Sequence, residues 1–314
     1  NTLTEISKKG SSVFYEGEVS KKIIYDLKKQ GSIISYKDLK NHKTLIQKAI
    51  STKYHEQKIF TAPPNSQGLA LLFMCKFFEE SKSNNKNIDI NEFLKIKKEY
   101  FFYRNKYCID PTISTFTKKK FNQKRIKSRK FNNYFNNNVS GDTSTLVVID
   151  KKGNAVSWVQ SLFEEFGSGI VSPSTGVVFH NRLYLEKLIK NKNNYLRPNK
   201  RPFHTLCPTI VLKNNKCDLA IATPGDHGQP QTIYQILHHV YKNNLTIQNA
   251  INKPRIRHDS GKQILVEKNF YLKKNNLNIK KYNKPDRLFG GVTAIKRKNN
   301  NALSKGIDKR RNCF

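Results

Sequence analysis

Gly141-Asp142-Thr143-Ser144-Thr145-Leu146-Val147-Val148-Ile149, then Asp150-Lys151-Lys152-Gly153-Asn154, then Ala155-Val156-Ser157-Trp158-Val159-Gln160-Ser161-Leu162, is the stretch on which the fold turns. Residues 145–149 and 155–162 read as strands, and the glycine and asparagine between them read as a hairpin turn. Just upstream, residues 118–138 hold almost no aliphatic side chain and are packed with Lys, Arg, Asn and aromatics, which predicts a linker. A hydroxyl residue thus stands between a basic linker and an apolar strand. If the backbone were cut before Thr143, the freed α-amine would lie beside its own Oγ and take its proton, directly or through a water. Taken alone, Gly-Asp-Thr is most often a plain turn into a strand.

Beyond the hairpin, 167–179 reads as glycine-punctuated strands, 209–212 and 218–222 as a strand pair, and 231–241 as an apolar-striped helix. Between the last two lies Ala222-Thr223-Pro224-Gly225-Asp226-His227-Gly228-Gln229, a strand end passing through a glycine turn into a helix. Such a turn can aim backbone N–H groups at an oxyanion, although an ordinary connection looks the same. Upstream, 1–45 predicts two helices separated by a turn, with Gly31 ending the second and Ser35 with Asp38 capping a short third around Leu39. A strand pair is expected over 46–60, a proline-glycine turn at 62–68 and a buried helix over 69–78. Mixed layers of sheet and helix follow, an α+β chain.

With 314 residues the chain can bury a sizeable core. Its net charge of +35 would attract nucleic acid, anionic membrane or acidic partners. The excess is mostly Lys, spread along the chain with abundant Asn and Ile, as surface drift in composition would also produce. The aromatics Phe121, Phe131, Tyr134 and Phe135 among the cations of 118–138 match a single-stranded nucleic-acid surface. The five cysteines are widely spaced and form neither a disulfide framework nor a metal-ligand cluster, and no cofactor or metal is implied. No apolar run reaches the roughly 18–20 residues of a membrane helix. The first residue is Asn1, not Met, and the compartment, periplasmic or cytoplasmic, is left open.

Taken together the segments resemble the γ-glutamyltranspeptidase family of N-terminal-nucleophile hydrolases over nearly the whole chain. The carrying motifs are Gly141-Asp142-Thr143, Asp150 with Gly153-Asn154-Ala155-Val156, and Phe166-Gly167-Ser168-Gly169-Ile170-Val171 with Thr175-Gly176. Lys200-Arg201-Pro202, Pro208-Thr209, Pro224-Gly225 and Pro254-Arg255 follow in order. Phe14-Tyr15-Glu16-Gly17-Glu18, Gly31-Ser32-Ile33-Ile34-Ser35 and Pro63-Pro64-Asn65-Ser66-Gln67-Gly68 are similar to the later part of that family's large subunit.

The resemblance implies a four-layer αββα sandwich of two stacked, mainly antiparallel sheets. It implies a precursor that cuts itself into a large subunit, here its final part at 1–142, and a small subunit at 143–314 that pairs with it. The substrate would be a small γ-glutamyl or related amide, its acyl group passing to water or an amino acid. Thr143 would be the nucleophile and Ser161 the hydroxyl orienting it. Gly225 and Asp226 would supply oxyanion donors, Asp226 standing where the family has a second glycine. Phe163, Arg182 and Leu185 replace an asparagine, a glutamine and the aspartate that holds the substrate amine, and His204-Thr205 replaces paired serines. Phe163, Arg182, His204 and Thr205 therefore mark an altered substrate pocket. The upstream large-subunit segment, with the arginine for the substrate carboxylate, has no counterpart here. A catalytically silent or fragmentary relative, and a nucleic-acid binder, are the competing expectations.

Overall fold

The structure, a computed structural model, describes residues 1–81, 86–117, 141–186, 188, 194–273 and 276–311. The basic segment 118–138, with its four aromatics, lies outside them, as does Cys313. Helices α1 (Thr2–Lys9), α2 (Ser12–Tyr15), α3 (Glu18–Lys29) and α4 (Tyr36–Lys40) open the chain, so the first expected helix is broken at Gly10. Gly31, at φ 76°, ends α3 as expected: its N–H donates to Lys28 O at 3.0 Å and that of Ser32 to Leu27 O at 3.0 Å. The Ser35 N–H donates to the Asp38 carboxylate at 2.7 Å and caps α4.

Strands β1 (Ile50–Tyr54) and β2 (Gln57–Thr61) are followed by α5 (Gly68–Glu80) and α6 (Ile90–Tyr107). Helix α6 is absent from the sequence-based expectation because its apolar residues are interleaved with Lys95, Lys97, Glu99 and Arg104, which blurs the stripe. The hairpin is β3 (Gly141–Ile149) and β4 (Ala155–Glu164). At its turn the Asp150 carboxylate accepts from the Asn154 backbone and side-chain amides at 2.8 and 2.7 Å, while Gly153 takes φ 89°. Short β5 (Val171–Ser172) and β6 (Val177–Val178) pair with each other, as do β7 (Thr209–Lys213) and β8 (Lys216–Ala222). Helix α7 (Gln229–Leu237) continues into a π-turn at His238–Lys242. It is buried on every side, not striped, because it is a central helix of the core. After α8 (Ile247–Asn252) come β9 (Ile256–Arg257), β10 (Gln263–Glu267), β11 (Asn278–Tyr282), β12 (Thr293–Arg297) and β13 (Leu303–Ile307).

One six-stranded antiparallel sheet organises these elements in the order β1-β2-β7-β8-β12-β13. The β2–β7 pairing joins strands from either side of residue 142 in a single sheet. Helices α5 to α8 cover one face and bury the main core. Against the other face lies the β3–β4 hairpin, whose Val147 and Ile149 meet Cys217, Ala220 and Ala222. Strand alternation puts Leu146 opposite Trp158 and Val148 opposite Val156 on the hairpin's outer side, where they are 43–55% exposed. Helices α1 to α4 form a satellite core against β5–β6, with the Asp26 carboxylate accepting from the Ser172 hydroxyl at 2.5 Å and the Ser174 N–H at 2.9 Å.

The C-terminal end of the sheet is tied down electrostatically. Asp308, fully buried, accepts from Arg255 at 2.7 Å, Arg310 at 3.1 Å and the Val292 N–H at 2.9 Å, and Arg310 also grips Glu267 at 2.5 Å. Removing one member of such a network strands buried charge. Asp308→Ala is expected to destabilise the fold by about 3–5 kcal/mol in urea unfolding, with the buried Arg255 guanidinium stripped of its carboxylate and Arg310 held by Glu267 alone.

Candidate active site

The hairpin register breaks where the chemistry was expected. Asp142 pairs with Phe163 and Ser144 with Gln160, so the ladder is irregular at Thr143. The Thr143 N–H donates to the carboxylate of its own neighbour, Asp142 Oδ1, at 2.9 Å. Ser161 Oγ donates to the Asp142 carbonyl oxygen at 2.6 Å and accepts the Phe163 N–H at 2.8 Å. The serine hydroxyl therefore rests on the carbonyl of the peptide that joins Asp142 to Thr143. Arg182, in the 3-10 turn Arg182–Leu185, donates through Nη2 to the Ser161 carbonyl at 3.2 Å. Its Nη1 is buried with no hydrogen-bond partner among the described residues. Burial pulls its pKa down to about 10, against the pull of the Asp226 carboxylate.

The second component is the turn after β8. Gly225 takes φ 129° and Asp226 φ 51°, a left-handed conformation that aspartate tolerates better than most side chains. The Asp226 carbonyl accepts from Gln67 Nε2 at 2.7 Å, and the same amide bonds the Thr205 carbonyl. Arg104, fully buried on α6, reaches Gln67 Oε1 at 3.4 Å and His227 Nδ1 at 3.1 Å. An arginine only donates, so Nδ1 is the acceptor and the imidazole is neutral, with its proton on Nε2. Burial and the surrounding Arg104, Arg257 and Lys97 hold the His227 pKa well below its usual range. The Asp226 carboxyl is buried, with Oδ1 unpartnered among the described residues. Burial raises its pKa to about 6, opposed by Arg257 and reinforced by Asp259. Strand β3 runs against this turn, with Cα separations of 8 Å or less.

The expected residues thus fall into two linked groups. Ser161 bonds the Asp142–Thr143 peptide and Phe163 pairs with Asp142, while Arg182 reaches the Ser161 carbonyl and lies 5.7 Å from the centre of the Phe163 ring. Asp226, which directly follows Gly225, shares the Gln67 bracket with Thr205. His204 joins both: its backbone pairs with Ser66, and burial together with nearby Arg182 lowers its pKa to about 3. Phe163 takes φ 85°, an uncommon conformation for an aromatic residue. Leu185 is buried beside this group as part of the main core. Sequence reasoning missed Gln67 and Arg104 as site residues. Gln67 was visible inside the proline-glycine turn, but nothing local marks a glutamine that reaches across the fold. No cluster of three or more His, Cys, Asp or Glu able to hold a metal occurs among the described residues. No helix among them is long and apolar enough to cross a membrane.

A family model described as gamma-glutamyltranspeptidase matches residues 1–313. The chain belongs to the γ-glutamyltranspeptidase family. Within it, a glutathione hydrolase-like proenzyme of Bacillus subtilis is 32% identical over 266 residues, covering 81% of this chain and 51% of that protein. An oxamate amidohydrolase proenzyme of Klebsiella pneumoniae is 26% identical, covering 81% and 50%. Among solved structures, a cephalosporin acylase from Bacillus halodurans superposes with TM-score 0.86 at 26% identity, covering 98% of this chain and 60% of its own. The fold is that of the family's α+β N-terminal-nucleophile hydrolases. The chain spans about half the length of the curated relatives it matches.

The buried carboxyl in the turn makes stability depend on pH. Asp226 has an ordinary value of 3.8 and a folded value of about 6, so the folded state holds the extra proton. That stabilisation is complete below the unfolded pKa and is lost as the pH rises through the folded one. Between about pH 4 and pH 7 the fold should lose roughly 2–3 kcal/mol from this group, and Asp226→Asn should flatten that slope in urea unfolding.

Proposed function

We propose that the chain carries the nucleophile of a self-processing amide hydrolase or transferase, with Thr143 as the attacking residue and γ-glutamyl or related amides as substrates. The observation that carries this reading is the Ser161 hydroxyl, 2.6 Å from the carbonyl oxygen of the Asp142–Thr143 peptide, at a break in the strand register. A donor in that position stabilises negative charge developing on the carbonyl oxygen under attack.

In the first stage Thr143 Oγ attacks the Asp142 carbonyl carbon. The C–N bond breaks, the nitrogen takes up the proton and becomes the Thr143 α-amine, and an ester links Asp142 to Oγ. Water then hydrolyses the ester, leaving an α-carboxylate on Asp142 and a free threonine. In the second stage the new amine accepts the Oγ proton, and Oγ attacks the donor amide. The amine product leaves with that proton, and the acyl group passes from Oγ to water or to an amino acid. Backbone N–H groups of Gly225 and Asp226 serve the oxyanion of this second reaction, held by Gln67 and Arg104. Phe163, Arg182, His204 and Thr205 face the acyl donor. Maturation gives two chains, 1–142 with whatever precedes it and 143–314, assembled across the β2–β7 pairing.

The proenzyme names of the relatives support the self-cutting step. Relatives named for oxamate, cephalosporin and glutathione support amide hydrolysis as the shared chemistry. A silent relative is the second reading, favoured by the buried Asp226 carboxyl in the oxyanion turn. Mass spectrometry of the complete gene product separates the two. The active reading expects a fragment beginning at Thr143, an uncut Thr143→Ala variant, and Ser161→Ala slowed by about a hundredfold to a thousandfold. A chain that stays whole and shows no amidase activity selects the silent reading.

A further inference from the structure

We propose that Arg311 is a positioning residue for the self-cleavage step, acting through the Asp142 side chain; this rests on the reading of Thr143 above. Asp142 Oδ1 accepts two hydrogen bonds, from the Thr143 N–H at 2.9 Å and from Arg311 Nη1 at 2.6 Å. The first turns the amide of the bond to be cut toward a side chain at the point where the ladder loses register. The second fixes that side chain from the far end of the sequence. A bulge beside a reacting group re-aims the side chain it carries. Arg311 thus holds in place the kink that presents the Thr143 hydroxyl and its scissile carbonyl.

The arginine is seated for this purpose. Its stem lies flat against Gly291, where an added Cβ would come within 2.8 Å of Arg311 Cβ, Cγ and Cδ. The Gly291 N–H in turn donates to Thr223 Oγ1 at 3.1 Å, immediately before the turn that holds Gly225. The seat of the guanidinium is therefore tied to the oxyanion side of the site. The other cation that lowers the Asp142 pKa at longer range, Arg287, is ion-paired with Glu165 at 2.7 Å. Arg311 takes no part in the bond exchange itself: no proton leaves it, and the atoms that change partners are those of Asp142, Thr143 and water.

The test follows cleavage of the complete gene product after a pulse of cell-free translation, for wild type, Arg311→Ala, Arg311→Lys and Asp142→Asn, alongside each variant's thermal midpoint. Arg311→Ala should cut about tenfold more slowly or worse, as expected for loss of a charge-assisted hydrogen bond. Arg311→Lys should recover most of the rate, and Asp142→Asn, which keeps an acceptor oxygen but no charge, should fall between, all with midpoints close to wild type. Arg311→Ala cutting at the wild-type rate, or Arg311→Lys cutting no faster than Arg311→Ala, overturns this proposal alone. Wild-type chain that stays whole overturns the parent reading and this one with it.

Discussion

The Asp142–Thr143 peptide lies at a break in an otherwise regular hairpin, and the rest of the site is arranged around that break. Regular pairing on both sides is enforced by packing: Val147 and Ile149 are buried against β8, and a one-residue slip would turn them to solvent. The irregularity is therefore confined to the first residues of β3. There the backbone amide is diverted to the Asp142 carboxylate and the carbonyl to the Ser161 hydroxyl. A rigid strand and a locally diverted peptide are both needed, because only a fixed frame lets one displaced residue keep a defined direction.

The turn opposite is held by residues far away in sequence. Gln67 and Arg104 come from the first half of the chain, and together they hold the Asp226 carbonyl, the Thr205 carbonyl and the His227 ring. Their burial gives these bonds weight, since an unpaired amide or guanidinium in that place would be costly. The same dry surroundings keep the Asp226 carboxyl protonated to a higher pH than usual, which limits the negative charge this unusual residue brings to the turn.

Much of the fold was legible because local rules and tertiary packing agree. The Lys151-Lys152-Gly153-Asn154 turn, the β7–β8 pair and the Gly31 helix stop each carry their reason within a few residues. Helix α6 was not legible: Lys97 and Arg104 interrupt its apolar periodicity, yet both are buried for contacts elsewhere in the fold. Among the candidate site residues, Thr143 and Gly225 stood out through their motifs, and Ser161 through the family resemblance. Gln67, Arg104 and the seating of Arg311 on Gly291 did not, because each acts through a partner well outside its own stretch of sequence, 123 positions away for Arg104 and His227. Periodicity and spacing are blind to such pairings.

Only Gly141 and Asp142 of β3 precede the proposed scissile bond, opposite Glu164 and Phe163. A strand of two residues has little holding power of its own. After scission this stub would carry a fresh carboxylate resting on the very threonine that made it, an occupant competing with the first incoming acyl donor. Its departure, governed by the Arg311 grip and the few remaining ladder bonds, would then set the lag between maturation and the onset of turnover.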